Sequence, residues 1–322
     1  MRRVIAIATL SALAACTQAL AQSQPAWPQR PVRLVVPFPP GGSADSIARL
    51  VAKGLSERWG QQFVVDNRAG AAGNIGVDIV AKAAPDGYTL VLATSGPLAN
   101  NKYLYKSMPF DTAKDLTPVI LVGDTPLIVV AHPSVPAQNL REFVELARTG
   151  GAPTIGTPGT GSIGQLGIEL IRMRVKFDYV HVPYKGDTPA LADLVGGSIR
   201  AVSAPITAFV PHVQAGKIRG LAVLAKSRYP GLPDLQTAAE LGIDAEAAVW
   251  YAMMAPAGTP KPIVERLNQE VNRLIEVPAA RAQLAQFGTV VAGGEPGRLS
   301  SLMAADSAKW KQVIETAKLK LE

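Results

Sequence analysis

Residues 32–45 read Val32-Arg33-Leu34-Val35-Val36-Pro37-Phe38-Pro39-Pro40-Gly41-Gly42-Ser43-Ala44-Asp45. The apolar run at residues 32–36 predicts a buried strand, which the following prolines end. Two glycines then predict a loop, and Ser43 stands where the N-cap of a helix would be, ahead of a helical apolar pattern that starts at Ile47. The stretch therefore predicts a strand, a glycine loop and a helix start, which is the opening unit of an α/β fold.

The glycine loop has two interpretations. At a helix start the first backbone N–H groups lack helical partners, and the helix dipole adds partial positive charge, so an anion can bind there. Glycines let a ligand approach the backbone closely, and Asp45 in the first turn is explained by the dipole and by capping. A plain βα turn explains the same residues, because Pro-Gly-Gly is common turn chemistry.

The rest of the chain repeats the alternation of strands and helices. Further predicted strands are 62–66, 88–93, 119–122, 127–131, 154–156, 179–182, 199–203, 221–224 and 249–255. Further predicted helices are 76–83, 140–147, 163–173, 189–195, 209–214, 262–275, 279–287 and 299–318. This alternation implies parallel sheets covered by helices.

The predicted elements form two α/β units, and the last helices have no sheet of their own. We expect those helices to pack on the first unit, so the chain would cross between units near residues 124–130 and 245–251. The prediction is an α/β fold of two doubly wound domains joined by a two-crossing hinge, with domain 1 at 25–125 and 251–322 and domain 2 at 126–250. Ligands of such folds bind at the carboxyl ends of the strands, in the cleft between the sheets.

Composition is that of a globular protein. The 322 residues suit two domains, and 48% hydrophobic with 18% charged residues argues against a disordered chain. The formal net charge of +7 suits an anionic ligand without requiring one. Blocks of Lys and Arg interleaved with aromatics are not seen, so we expect no nucleic-acid partner.

The N-terminus has the pattern of an export signal at residues 1–21. Arg2 and Arg3 precede an apolar run of about 12 residues, which is too short to span a bilayer. Small residues at 19–21 suit cleavage before Gln22, after which no cysteine would remain. Alternatively, the sequence ending at Cys16 resembles a lipobox, and Cys16 would then carry a lipid anchor. Both routes place the mature protein outside the cytoplasm.

A second loop, Thr157-Pro158-Gly159-Thr160-Gly161-Ser162, also follows a predicted strand and opens a helix. Two such loops facing each other could hold the two ends of a dicarboxylate, or one carboxylate from both sides. Tyr184 and Lys185 follow the next strand and could add a hydroxyl and a cation at the same rim. A solvated surface lysine is the other interpretation of Lys185.

Other chemistry is poorly supported. Residues 159–164 match G-x-G-x-x-G in form, but the acid that a dinucleotide site needs at the end of the next strand is missing, because Asp178 stands at its start. Ser162 lacks the G-x-S-x-G context of a hydrolase nucleophile. Metal-ligand spacing is absent among His132, His181 and His212. We therefore expect no enzyme, no metal site and no cofactor.

The sequence resembles those of a known family, the extracytoplasmic solute receptors of tripartite tricarboxylate transporters, which is also called the Bug family. The similarity runs over nearly all the mature chain and is carried by Trp27-Pro28 and by residues 31–45, 66–76 (DNRAGAAGNIG), 83–90 (AAPDGYTL), 182–186 (VPYKG) and 250–260 (WYAMMAPAGTP). It implies a periplasmic binding protein of type II architecture that closes on a small carboxylate and delivers it to a membrane permease. It also implies that both glycine loops contribute to the ligand site, the first one with ordered water.

The predicted ligand-binding residues are Pro40, Gly41, Gly42, Ser43, Ala44, Asp45, Ser95, Thr157, Gly159, Thr160, Gly161, Ser162, Tyr184, Lys185 and Ala204. Ala204 marks a departure, because many family members have Asp where this chain has Ala204. The loss of that charge favours a ligand without an amino group. We expect a monomer that serves transport; a sensory receptor signalling to a membrane partner and a secreted α/β hydrolase acting near Ser162 are the alternatives.

Overall fold

The structure is a computed structural model and describes residues 27–321; the predicted signal peptide and Cys16 lie outside that range. Its strands are β1 Val32–Val36, β2 Phe63–Asn67, β3 Thr89–Thr94, β4 Leu116–Ala131, β5 Thr154–Thr157, β6 Val180–Pro183, β7 Ala201–Pro205, β8 Arg219–Val223, β9 Ala248–Pro256 and β10 Val290–Val291. Its α-helices are α1 Ser43–Trp59, α2 Asn74–Ala81, α3 Asn101–Leu104, α4 Thr112–Asp115, α5 Leu140–Thr149, α6 Ile163–Val175, α7 Asp187–Val195, α8 Val210–Gln214, α9 Lys261–Glu276, α10 Pro278–Gln286 and α11 Pro296–Ala317. Short 3₁₀ turns at Ala71–Gly73 and Ile206–Ala208 and a π turn at Gly96–Asn100 complete the described elements.

The α/β prediction is confirmed. The strands follow the order β2-β1-β3-β9-β4-β7-β5-β6, with β8 and β10 also pairing with β4. Strand β1 is parallel to β2 and β3, and β5 is parallel to β6 and β7, as expected for βαβ units. Within residues 27–321, no helix is both long and apolar enough to cross a membrane.

Strand β4 corrects one prediction. Residues 119–122 and 127–131 were expected as separate strands, because Gly123 to Pro126 looks like a break. The structure has one strand, because β9 pairs along it antiparallel through that segment, with Asp124 opposite Trp250 and Pro126 opposite Ala248. Two register shifts between β4 and β9 absorb the irregular residues. Strands β4 and β9 thus link β1–β3 to β5–β8 at the positions where two crossings were expected; the domain boundaries themselves stay a prediction.

Both groups of strands bury apolar residues on their two faces, as parallel sheets covered by helices must. In β1, Leu34 packs with residues of α1 and α9, whereas its neighbour Val35 packs on the opposite face with α2. In the second group, Ile155 packs with α5 and α6, and Val202 packs with α7.

The C-terminal helices follow the expectation only in part. Helices α9 and α10 contribute to the same apolar cluster as β1 and α1. Helix α11 does more, because Leu299 near its start packs with the first group of strands, whereas Trp310 packs with residues of β4, β5 and α6. Asp306 of α11 also accepts a 2.7 Å hydrogen bond from the Trp250 indole of β9. Helix α11 therefore packs against both groups of strands and accepts a hydrogen bond from β9, the second crossing strand.

Candidate ligand-binding site

A cleft of about 780 Å³ lies beside the first glycine loop. One wall is the loop and the start of α1, and the other is the start of α7 with the end of β7 and the turn that follows it. Two residues of β9 lie between these walls. The lining residues are Phe38, Pro39, Pro40, Gly41, Gly42, Ser43, Ala44, Thr94, Asp187, Thr188, Pro205, Thr207, Ala208, Val249 and Tyr251.

The glycine loop is shaped by its own helix. Gly41 has a φ of +90°, a conformation that glycine adopts without strain. The structure corrects the N-cap prediction: Gly42 is the N-cap, and Ser43 is the first helical residue. Gly42 has an ordinary extended φ of −80°, and a Cβ built on it meets no atom within 4 Å. The backbone at Gly42 therefore borders open space, where the first free N–H groups of α1 can meet an anion.

Asp45 holds this loop in place. Its carboxylate accepts hydrogen bonds from the Gly41 N–H at 2.9 Å, the Asn67 amide at 2.9 Å and the Arg49 guanidinium at 2.9 Å. Burial of the carboxyl would raise its pKa, but these donors outweigh burial and hold the pKa of Asp45 below its usual range. The carboxylate is saturated by the protein and is 3% exposed, so it supports the loop from behind.

Tyr251 connects the loop to the crossing strands. It lines the cleft from β9, and its hydroxyl hydrogen-bonds with the side chains of Thr125 on β4 and Ser43 on α1. Burial raises the pKa of this phenol, and the nearby Asp187 charge raises it further. Both crossing strands therefore contact the end of the cleft beside the glycine loop through one phenol.

Asp187 is the first residue of α7 on the opposite wall. Its Oδ1 is buried and has no hydrogen-bond partner within the described part of the chain. Burial raises the pKa of Asp187 to about 6. Asp187 is not among the residues predicted from the sequence, although it directly follows the VPYKG segment at a helix start. In the part of the chain that the structure describes, no Lys or Arg lines the cleft.

The first loop and its neighbourhood lie where they were expected. Pro40, Gly41, Gly42, Ser43 and Ala44 all line the cleft, and Asp45 lies just behind them. Ser95 is buried and does not line the cleft, whereas its neighbour Thr94 does. Whether these residues bind a ligand stays a prediction.

The second loop is organised by hydrogen bonds of its own and is not among the residues that line this cleft. Ser162 caps α6 by accepting from the Gln165 N–H, as a helix start there predicts. Thr157 Oγ1 lies 2.7 Å from His181 Nε2, and the Gln165 side chain links His181 to the Gly161 N–H. Burial lowers the pKa of His181, which fits a neutral imidazole in this network.

The remaining predicted residues lie away from the cleft lining. The Tyr184 hydroxyl donates to Asp193 at 2.7 Å, and burial raises the pKa of Tyr184 to about 12. Lys185 is exposed, which agrees with the surface interpretation. Ala204 is fully buried in an apolar cluster with Ile128. Ala204 alone cannot fix the charge of the cleft, because Asp187 supplies a carboxyl that the sequence analysis did not consider.

Three further lining positions that carry hydroxyl groups were not predicted from the sequence. Thr188, Thr207 and Tyr251 carry hydroxyls, and Tyr251 stands inside the WYAMMAPAGTP segment that the sequence analysis quoted only for its resemblance. Their contribution depends on how β7, α7 and β9 meet, which local patterns do not report. Among residues 27–321 no group of three or more His, Cys, Asp or Glu side chains could hold a metal ion.

Comparisons with known proteins agree on one family. Residues 47–319 match the family described as "Tripartite tricarboxylate transporter family receptor". Protein BugT of Bordetella pertussis is 37% identical over 92% of this chain and 92% of its own length. A UPF0065 protein from the tcbD-tcbE intergenic region of Pseudomonas sp. is 37% identical over 97% of this chain and 93% of its own.

Solved structures give the same result. The R. palustris protein Rpa4515, solved with adipate, is 38% identical and has a TM-score of 0.79 over 92% of this chain and 99% of its own. MatC from Rhodopseudomonas palustris, solved with malate, is 31% identical with a TM-score of 0.74 over 89% of this chain and all of its own. The periplasmic binding protein BugD is 30% identical with a TM-score of 0.76 over 92% of this chain and all of its own.

Proposed function

The chain belongs to the tripartite tricarboxylate transporter receptor family, and from that premise we propose that it captures a small organic carboxylate in the cleft beside residues 40–45. The observation that carries this proposal is the open backbone at Gly42, at the start of α1 and facing the cleft. Several backbone N–H groups can hold a carboxylate there by charge-assisted hydrogen bonds without a lysine or arginine.

The ligands of two relatives support the ligand class. Rpa4515 was solved with adipate and MatC with malate, and both ligands are small aliphatic carboxylates. A cleft of about 780 Å³ is large enough for ligands of this size. Hydroxyls of Ser43, Thr94 and Tyr251 add polar groups that could orient the ligand.

The proposed mechanism is closure about β4 and β9. Domain 1, at residues 25–125 and 251–322, supplies the glycine loop, and domain 2, at 126–250, supplies the wall around Asp187. A ligand held by the first wall favours the closed state to the extent that the second wall adds contacts. The remaining predicted residues act from around the cleft or reach the ligand on closure in this proposal. They are Ser95, Thr157, Gly159, Thr160, Gly161, Ser162, Tyr184, Lys185 and Ala204.

The family are periplasmic receptors that work with transporter membrane components. We propose that this chain is exported by the signal at residues 1–21, with lipidation at Cys16 as the alternative route, and that it acts as a monomer that delivers its ligand to a permease. Sensing remains an alternative, because closure on a ligand serves signalling equally well.

The hydrolase alternative has less support. Ser162, the nucleophile it would use, serves as the cap of α6, and the nearby His181 contacts Thr157 and Gln165. We therefore propose that the chain has no catalytic activity. Turnover of an ester or amide by the purified protein, lost in Ser162→Ala, would contradict this.

A thermal-shift screen of the mature protein tests the proposed function. The panel contains mono-, di-, tri- and aromatic carboxylates and amino acids, with the matching neutral amides as contrasts. A ligand that binds only the folded protein raises the melting temperature with its concentration. The proposal expects shifts from carboxylates and none from the neutral amides. A flat panel, obtained with protein that was unfolded and refolded to release bound ligand, would contradict it.

A further inference from the structure

The charged side chains that line the cleft are not balanced in sign. Among residues 27–321, those that line the cleft include one carboxyl group, that of Asp187, and no lysine or arginine. The first backbone N–H groups of α1 lie at one wall and those of α7 at the other, and hydroxyl groups stand on both walls. The Asp187 carboxylate opposes the favourable effect of the α7 start, so a second anion is less favoured at this wall than at the start of α1.

Two aspartates stand at helix starts on the two walls, and their surroundings differ. Asp45 on α1 has three donors, from Gly41, Arg49 and Asn67. Asp187 on α7 has a buried Oδ1 that no donor of the described residues reaches, and it does not cap its own helix. Among the described residues, the protein thus supplies three donors to Asp45 and none to Asp187 Oδ1.

The groups around Asp187 do not neutralise it. Tyr251 on β9 is the titratable side chain of the lining on which its charge acts, and the Tyr251 hydroxyl is engaged with Thr125 and Ser43. Lys185, two residues before it, is exposed and is not part of the lining. On the same helix, Asp193 accepts from Tyr184. Asp187 lines the cleft, and no described residue donates to its Oδ1, so a ligand that supplies an O–H or N–H donor can hydrogen-bond to this carboxyl group.

We propose that Asp187 determines the ligand class: the bound molecule carries a carboxylate at the glycine loop and an O–H or N–H donor, rather than a second free carboxylate, at Asp187. The ligand is then a hydroxy- or amino-carboxylate or a related acid amide. This inference rests on the proposed carboxylate site. A dicarboxylate that spans the cleft would place two like charges together in a site that lacks a cation.

Sets of probes that are matched in chain length test the inference without knowledge of the natural ligand. The six-carbon set is adipate, 6-hydroxyhexanoate, 6-aminohexanoate and hexanoate, and a second set contains the corresponding four-carbon acids. Titration calorimetry at pH 7.5 measures the affinity of each. At that pH the distal carboxylate of the dicarboxylate is ionised. We expect the best donor-ended acid to bind at least about 10-fold more tightly than the dicarboxylate of equal length, since charge-assisted hydrogen bonds are the stronger class.

Asp187→Asn separates specificity from folding. The variant removes the charge and keeps the shape, so the affinity for the amino acid probe should fall about 10- to 100-fold while that for the dicarboxylate rises. The readout is the ratio of the two affinities, which a general loss of structure would not invert. Asp234→Asn, at an exposed aspartate outside the cleft lining, is the control and should leave the ratio unchanged.

The outcomes are distinct. A wild-type preference for the donor-ended acids that Asp187→Asn removes supports the inference. Equal or tighter binding of the dicarboxylates to the wild type, or a ratio that Asp187→Asn leaves unchanged, overturns it and leaves the carboxylate site standing. If hexanoate, butanoate and all other probes fail to bind, the carboxylate site itself is contradicted and the inference falls with it.

Discussion

The Asp45 carboxylate accepts a 2.9 Å hydrogen bond from the backbone N–H of Gly41, so helix α1 fixes the loop in front of it with its own third residue. The same carboxylate binds the Asn67 amide, which also donates to the Phe38 carbonyl at 3.0 Å. The loop is therefore held at both ends, at Phe38 and at Gly41. A ligand that binds at this loop as proposed would meet a shape that the protein has already set.

Asp45→Ala should loosen the loop. It leaves the Gly41 N–H, the Asn67 amide and Arg49 without their shared acceptor, which should cost about 1–3 kcal/mol of unfolding free energy and weaken carboxylate binding. Denaturant unfolding and calorimetry would measure both effects. Arg49→Gln is the control: the Arg49 side chain is 55% exposed, so its loss should cost less than about 1 kcal/mol. Equal effects of the two variants would contradict this role for Asp45.

Tyr251→Phe should weaken ligand binding with a modest effect on stability. The change removes the hydroxyl that joins Ser43 to Thr125, a loss of about 0.5–1.5 kcal/mol, and Thr125 keeps its contact with Thr289. Tyr103→Phe loses a similar hydroxyl contact, with Ser307, outside the cleft lining. We expect both variants to melt slightly earlier and only Tyr251→Phe to bind more weakly. Unchanged affinity in Tyr251→Phe would show that the phenol does not shape the site.

Asp187 should make the free protein less stable as the pH rises. Because burial raises the pKa of Asp187 to about 6 in the folded state, above an ordinary value near 3.8, the folded protein binds the proton more tightly. The stability contributed by Asp187 is thus full below about pH 4 and is lost between about pH 4 and 6, at a cost of up to about 3 kcal/mol.

Melting temperatures from pH 4 to 8 would measure this effect. Asp187→Asn should raise the melting temperature relative to the wild type at pH 7–8 and have little effect at pH 4. Asp124, whose pKa is also raised to about 6 by burial and then by Glu246, titrates in both proteins, so the difference between them isolates Asp187. A difference that does not change with pH would contradict the assignment.

The contact between Trp250 and Asp306 should matter for the hinge strands. Asp306→Ala leaves the buried Trp250 N–H without its 2.7 Å partner, which should cost about 1–3 kcal/mol. Asp306→Asn keeps an oxygen that can accept this hydrogen bond, so it should retain most of the stability. Chemical unfolding of the two variants makes the comparison; equal losses would assign the effect to the Asp306 charge instead.

Much of the fold could be predicted from the sequence, because local sequence patterns indicate strands, helices and βα turns. The strands and helices predicted from the sequence agree with those of the structure to within three residues at each end, except in the first half of β4. That exception has a physical reason: Gly123 to Pro126 looks like a turn alone, and only pairing with β9, more than 100 residues away, extends the strand through it.

The site was predicted unevenly for a related reason. The glycine loop and Asp45 carry a local signal, a strand end followed by a helix start, and the structure places them at the cleft. Asp187 and Tyr251 carry a signal only when three distant elements are brought together. Ala204 and Tyr184 could not be placed from the sequence because their side chains turn toward the apolar core and Asp193 rather than into the cleft lining.

The most direct test of the central claim compares Gly42→Asp with Gly42→Asn, using the carboxylate of the screening panel that binds the wild type best. A Cβ at Gly42 meets nothing within 4 Å and the backbone there is extended, so both variants should fold and melt close to the wild type. The two side chains match in size and differ in charge. We predict that Gly42→Asp loses at least about 100-fold in affinity, and clearly more than Gly42→Asn, because the added carboxylate repels the ligand. Wild-type affinity in Gly42→Asp would contradict carboxylate binding at this loop.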